Sequence, residues 1–157
     1  MLEELSRDAQ SRERQRLNFN LHPALDDAVQ RLCNAMEPAT YVRPHRHPEA
    51  GKWELFTVLR GSLVALTFDD EGRVTSRTEL SCEGPDYIIE IPGNTWHTLL
   101  SNSPGTVAFE VKPGPYLQLS DKDFAAWAPT EGAPEVVGFL EWLRAAKVGS
   151  QAPLSGT

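Results

Sequence analysis

Histidine is scarce in this chain of 157 residues, with four in all, and cysteine is scarcer, with two. Cys33 and Cys82 form neither a C-x-x-C pair nor a disulfide framework, so cysteine chemistry does not organise the fold. Cys33 reads as a packed thiol in an amphipathic helix, and Cys82, in the turn SCEGPD, has no evident role. No apolar run approaches the ~20 residues that span a bilayer. The amino end, MLEELSRDAQSRERQR, has no hydrophobic signal region, so the expectation is a cytoplasmic protein without a membrane partner. An excess of positive charge is also missing. The formal net charge of -7 argues against a broad nucleic-acid surface while leaving room for a local basic pocket.

What is present suits one soluble globular domain: 40% hydrophobic and 24% charged residues, and enough length to bury a real core. Residues 1–16 read as a flexible polar arm, 17–147 as a single domain, and 148–157 as a flexible tail. After His22 and Pro23, the acids Asp26 and Asp27 suit a helix start, and Leu25, Val29, Leu32 and Met36 recur at helical spacing. That pattern predicts a helix with one buried face, packed as a lid, with His22 as its cap or as a surface contact. Strands are expected over 39–47, 52–60, 62–69, 72–80, 86–92, 96–102 and 106–113, with glycine- and proline-bearing turns between them. Short strands at this spacing indicate an antiparallel sandwich or barrel. The stretch PGPYLQLSDKDFAAWAPTEGAP reads as an arm or short helical turns over an open side. A last helix, PEVVGFLEWLRAAK, carries Val136, Phe139, Leu140 and Leu143 on one face.

Three of the four histidines fall in two short stretches. In TYVRPHRHPEAGKWELFTVLRG, residues 40–61, His45 and His47 stand two apart, so on an extended segment both rings project to one side, where they can share an ion. Arg46 points the other way and reads as structural. Alternation in KWELFTVL sets Glu54 on the face of Phe56 and Val58, with Trp53 opposite. If that face is the core, Glu54 is a buried carboxylate in need of a cation, a metal or a dense hydrogen-bond shell. In IPGNTWHT, residues 91–98, a tight turn after Pro92 delivers His97 at the start of another strand. Three imidazoles and one carboxylate suit one divalent transition metal ion, whether iron, manganese, nickel, copper or zinc, with positions left for water or substrate.

The order His45, His47, Glu54, Gly61, then Pro92 and His97, resembles the two cupin motifs. Asn94 stands where the second motif usually has glycine, and asparagine tolerates a left-handed turn. The segments RERQRLNFNLH, TYVRPHRH, WELFTVLRG, EIPGNTWHT, VKPGPY and DKDFAAWAPTE, spread over residues 11–143, are together similar to the WbuC family of cupin-fold metalloproteins. That resemblance implies a mainly β protein, a cupin-type antiparallel jelly-roll barrel around one metal, with an N-terminal and a C-terminal helix packed outside. It implies a metal-binding protein encoded among genes for O-antigen and other surface-polysaccharide biosynthesis, and assigns no reaction. A homodimer suits both that family and the exposed edges of a small jelly roll.

A second set of residues concerns a small-molecule ligand, anionic or sugar-like. Arg43 lies two before His45 and should share its face, while Lys112 on the last long strand precedes Tyr116. Arg43 as a forked donor and Lys112 as a point charge suit a carboxylate or phosphate. Glu90 shares a face with Ile88 and, if inward, serves as a catalytic acid or base. Tyr41 and Trp96 read as walls. These parts fit a metal-dependent isomerase, epimerase, lyase or dioxygenase; the alternative is a module that binds a sugar or metabolite without turnover, and a purely structural metal is the third reading.

Overall fold

The computed structural model describes residues 1–118 and 123–153. In chain order its elements are α1 (Leu2–Gln10), β1 (Arg16–Asn20), β2 (Val29–Met36), β3 (Glu54–Arg60), β4 (Ser62–Phe68), β5 (Val74–Ser81), β6 (Ile88–Ile91), β7 (Trp96–Ser101), β8 (Thr106–Pro113) and α2 (Val136–Ala145). Strands β1-β2-β8-β3-β6 make one sheet and β5-β4-β7 the other, and neighbouring strands run antiparallel. Strands β3 to β8 match six of the expected strands to within a few residues.

Three apolar layers follow from which face each strand buries. Between the sheets, Phe56 and Val58 of β3 pack with Leu63, Ala65, Leu80, Leu99 and Ala108. Strand β4 is an almost continuous apolar run because both of its faces are covered. Leu63 and Ala65 turn inward, whereas Val64 and Leu66 turn outward beneath Phe139 and Leu143 of α2. The expected stripe on α2 is therefore its docking face, and burying Leu143 fully contributes about 1.5–3 kcal/mol. On the other outer face, Leu5 and Ala9 of α1 cover Cys33, Ala35 and Val107. Cys33 is a packed thiol, as expected, although it lies on a strand.

The amino-terminal third departs from the sequence reading. The expected polar arm holds α1, whose one buried edge is enough to seat it on the sheet. The helix expected after Pro23 is instead a turn followed by β2. Asp27 accepts the Val29 N–H through its side chain (3.0 Å), a turn-forming contact, and β2 pairs with β1 on one side and β8 on the other. The apolar spacing was degenerate, since Leu32 and Met36, four apart, share a face on a strand as well as on a helix. Leu25 and Val29, the other half of the supposed stripe, are 56% and 42% exposed. Residues 39–47 form no regular strand; among the described residues they pair through two isolated bridges at His45, to His97 and to Phe124.

The carboxyl-terminal expectation also changes. Ser150 accepts the Val74 N–H (2.9 Å) and Ala152 is buried, so residues 148–153 pack against β5; the rest of the expected tail, 154–157, lies outside the described residues. The stretch over the open side contributes turns at 123–128 that bury Ala125 and Ala128, and residues 119–122 lie outside the described residues. None of the described helices is long and apolar enough to cross a membrane.

Candidate metal centre

His45, His47, Glu54 and His97 come together, with one donor atom from each within 4.8 Å of the others. Strand β3 supplies Glu54 from the face it shares with Phe56 and Val58, all three buried, as the alternation predicted. His45 and His97 face each other across an antiparallel bridge, the His45 N–H donating to His97 O at 3.1 Å and the His97 N–H to His45 O at 2.9 Å. Their rings lie 4.5 Å apart between centroids, and the His47 ring lies 5.3 Å from that of His45.

Donor chemistry fits a metal. Nδ1 of His45 donates to Arg43 O (2.9 Å) and Nδ1 of His97 to Thr95 O (2.8 Å), which leaves Nε2 of each ring as the lone-pair atom. Nε2 of His47 approaches Glu54 Oε1 to 3.2 Å and Nε2 of His97 approaches Oε2 to 2.8 Å. Yet His47 Nε2, His97 Nε2 and Glu54 Oε2 are buried and make no directed hydrogen bond among the described residues. Buried acceptors converging without donors are costly, and a cation among them removes the cost.

The same crowding shifts the ionisation of the group. Burial pushes the Glu54 carboxyl up, but the close approach of His47 and His97 and the nearby Lys112 ammonium overcome it and hold the carboxyl well below its usual range. Burial alone would lower His97; contact with Glu54 reverses that and raises it. Burial, with the positive charge of His97 beside it, lowers His45 to about 3.

Next to the cluster lies a buried relay that the sequence reading only half found. Lys112 Nζ stands 3.0 Å from Glu54 Oε1 and 2.5 Å from Glu110 Oε1, while Asn34 hydrogen-bonds the other Glu110 oxygen. Lys112 does face the cavity, but its charge is committed to two carboxylates, so it orients Glu54 rather than offering a free anchor to a ligand's anion. Burial is offset by those two carboxylates, which hold the ammonium above its usual range. Glu90 requires a correction. On β6 it is exposed together with Ile88, while Ile91 is buried, so the shared face was the outer one. The inward second carboxylate is Glu110, whose carboxyl burial pushes up. Its signal was the E-x-K pair of β8, opposite charges on one face of a strand.

A cavity of about 290 Å³ opens onto the cluster, lined by His45, His47 and Glu54 within and by Arg43 and Tyr116 among others toward solvent. Arg43 donates to Ala125 O (3.0 Å) and lies over the Phe124 ring, and Tyr116 is 48% exposed at the cavity's edge. Arg46 stacks on Trp96 at 4.3 Å and reaches Asp70, which confirms its structural role. Tyr41 and Trp96, expected as walls, line neither this cavity nor its smaller neighbour: both pack in the layer beneath α2, the Tyr41 hydroxyl donating to Pro129 O (2.9 Å) and the Trp96 indole N–H to Asp70. His22 neither caps a helix nor sits on the surface: it is buried, accepts the Arg31 N–H at Nδ1 (3.1 Å), and lines neither this cavity nor the cluster.

Comparison with known proteins agrees with the fold. The chain superposes on a cupin superfamily protein from Desulfitobacterium hafniense DCB-2 with a TM-score of 0.51 and 17% identity, over 69% of this chain and 86% of that one. KdgF from Halomonas sp. gives a TM-score of 0.48 at 18% identity, over 63% and 81% of the two chains. An oxalate decarboxylase from Lactobacillus farciminis gives 0.49 at 14%, over 71% and 31%. At such identities the likeness is one of fold, and the fold is that of the cupin superfamily. Residues 1–80, half of the chain, match the family described as a domain of unknown function, DUF6016. No curated protein matches the sequence at a significant level.

Proposed function

We propose, for a chain that belongs to the DUF6016 family, a metal-binding cupin that acts as a metal-dependent enzyme on a small anionic or sugar-derived metabolite. The observation that carries the reading is the convergence of four donor groups, of which His47 Nε2, His97 Nε2 and Glu54 Oε2 are buried with no directed partner among the described residues. A divalent transition metal held by His45, His47, Glu54 and His97 would polarise an oxygen of the bound molecule. The chain's own residues supply the rest. Arg43 orients an anionic group from the cavity wall. Phe124 and Tyr116 narrow the access of water. Glu110, whose Oε1 accepts from the Lys112 ammonium, would take up or return a proton through Lys112 Nζ. Isomerisation, epimerisation and lyase chemistry use these parts. Similarity of the motifs to the WbuC family supports a setting in surface-polysaccharide (O-antigen) biosynthesis.

One observation favours a second reading, a module that binds its ligand without turnover: both Glu110 oxygens are engaged, one by Lys112 and one by Asn34. Elemental analysis of protein purified without added metal, and native mass spectrometry of any co-purified molecule, test the two together. One equivalent of metal is expected in the wild-type chain, and most of it should be lost in His47→Ala and His97→Ala while circular dichroism shows both folded. Stoichiometric metal in both variants overturns the site. Conversion of the co-purified molecule by wild type but not by Glu110→Gln supports the enzyme; binding without conversion in both supports the module.

A further inference from the structure

The outer end of the cavity is built by the segment that the sequence left as a flexible arm. Arg14 and Arg16 line the same cavity as His45, His47 and Glu54, and Arg43 stands with them. Arg16 also lines a second, smaller cavity that reaches His97 and Glu110. Alternation along β1 explains this: Leu17 packs toward α1 and Arg16 takes the opposite face. Two of the three guanidiniums close on one carboxylate. Glu131 Oε1 lies 2.7 Å from Arg16 Nη2, and Oε2 lies 2.7 Å from Arg14 Nη2. Arg16 is fixed further by its bond to Tyr41 O, and Arg43 by Ala125 O, while the buried Arg43 Nε has no hydrogen-bond partner among the described residues.

We propose that the ligand is a dianion: one end, bearing a carboxylate beside a hydroxyl or carbonyl oxygen, reaches the His45, His47, Glu54 and His97 cluster, and a second carboxylate or phosphate is seated by Arg14, Arg16 and Arg43 in place of Glu131. This rests on the metal-binding reading above and names the class of molecule it acts on. Glu131 occupies the outer site as the chain's own stand-in anion. Its ion pairs go to Arg14 and Arg16 and its side chain is one-third exposed, so it can yield the place to an anion that also meets Arg43. Planar forked donors suit a carboxylate or phosphate in particular. Arg14, Arg16, Arg43 and the cluster residues His45, His47 and Glu54 line one cavity, so a single molecule with an anion at each end can reach both.

Isothermal titration of the metal-loaded full chain, using ligand pairs that share a chelating end and differ in the second anion, tests this. 2-Hydroxybutyrate against 2-hydroxyglutarate probes a carboxylate, and glycerate against 3-phosphoglycerate a phosphate. At least one dianion should bind about tenfold or more tightly than its partner, the worth of one charge-assisted contact, and the pair that shows it tells which anion the arginines take. In Arg16→Gln/Arg43→Gln that ratio should fall toward one, and in Glu131→Gln it should grow. Equal affinity within both wild-type pairs, no binding of any of the four, or a ratio that survives the double substitution overturns the proposal and leaves the metal site standing. A wild-type chain that takes up no metal brings down the metal-binding reading, and this inference with it.

Discussion

The Asn94 N–H donates to the His47 carbonyl across 2.9 Å, which ties the turn that delivers one imidazole to the irregular segment that carries another. Asn94 holds a φ of 59, the left-handed conformation that its place in the motif required. Two demands thus fall on one residue: a backbone most side chains avoid, and an N–H aimed at a ligand's own peptide group.

Asn94→Gly should therefore leave stability nearly unchanged, since glycine adopts this φ without strain. Asn94→Ala should cost about 1–2 kcal/mol, the penalty for an ordinary side chain in that region. Metal affinity should fall in the alanine variant and not in the glycine variant, because only a shifted turn moves His97 relative to His47. Thermal unfolding and competitive metal titration check both halves. Equal behaviour of the two variants would show that the left-handed backbone is not what positions the turn.

Metal affinity should rise with pH. His97 is raised above its ordinary value of 6.5 by Glu54, so in metal-free protein it holds a proton to higher pH than a free imidazole does, and an ion must displace it. Raising the pH through that shifted value removes the competitor. Calorimetry in buffers of different ionisation enthalpy should show proton release on loading, diminishing as the pH climbs. Release that is constant across the range would mean that His97 is already neutral.

Stability of the metal-free chain carries the mark of His45. Its pKa in the fold is about 3 against an ordinary 6.5, so on acidification the unfolded chain takes up this proton first. The contribution is present above about 6.5 and is lost as the pH falls toward 3. Urea titrations of metal-free protein should give a steeper acid loss for wild type than for His45→Gln. His97, raised rather than lowered, acts in the opposite sense: its contribution is present in acid and fades as the pH rises past its shifted value. Parallel pH profiles for wild type and His45→Gln would remove His45 from the account.

The metal centre was legible in the sequence because its constraints are local. Two histidines at i and i+2, a glutamate in phase with Phe56 and Val58, and a histidine after a tight turn need only strand alternation to be placed. The amino-terminal third was not legible. Val29–Met36 lies between β1 and β8, partners 12 or more residues away in one direction and 70 or more in the other, and the Leu32–Met36 spacing serves helix and strand alike. Without β2, nothing in the sequence requires β1, so Arg14 and Arg16 stayed in an arm and their place at the cavity was missed. Glu90 failed for a narrower reason: alternation says which residues share a face but not which face is inside, and on β6 the isoleucines at 88 and 91 stand on opposite sides. Glu110 could have been found by asking what pairs Lys112 across one turn of that alternation.

Lys112 is the residue whose loss should be felt most widely. Its ammonium separates Glu54 from Glu110, two buried carboxylates that would otherwise face one another. Lys112→Met keeps most of the side chain's bulk and removes only the charge. Breaking a buried ion pair by deleting one partner costs about 3–5 kcal/mol; the lysine side chain is 21% exposed, which puts the expectation at the lower end. Part of the strain will be relieved by protonation of Glu110, whose carboxyl burial already pushes up, so the loss should be larger at pH 8 than at pH 5. Adding Glu110→Gln removes the second carboxylate's charge, and the double variant should recover most of the stability lost by the single one. A double-variant cycle by urea unfolding measures this coupling directly. Additive losses would mean that Lys112 and Glu110 contribute independently, and Glu54 would then need another source for the charge that balances it.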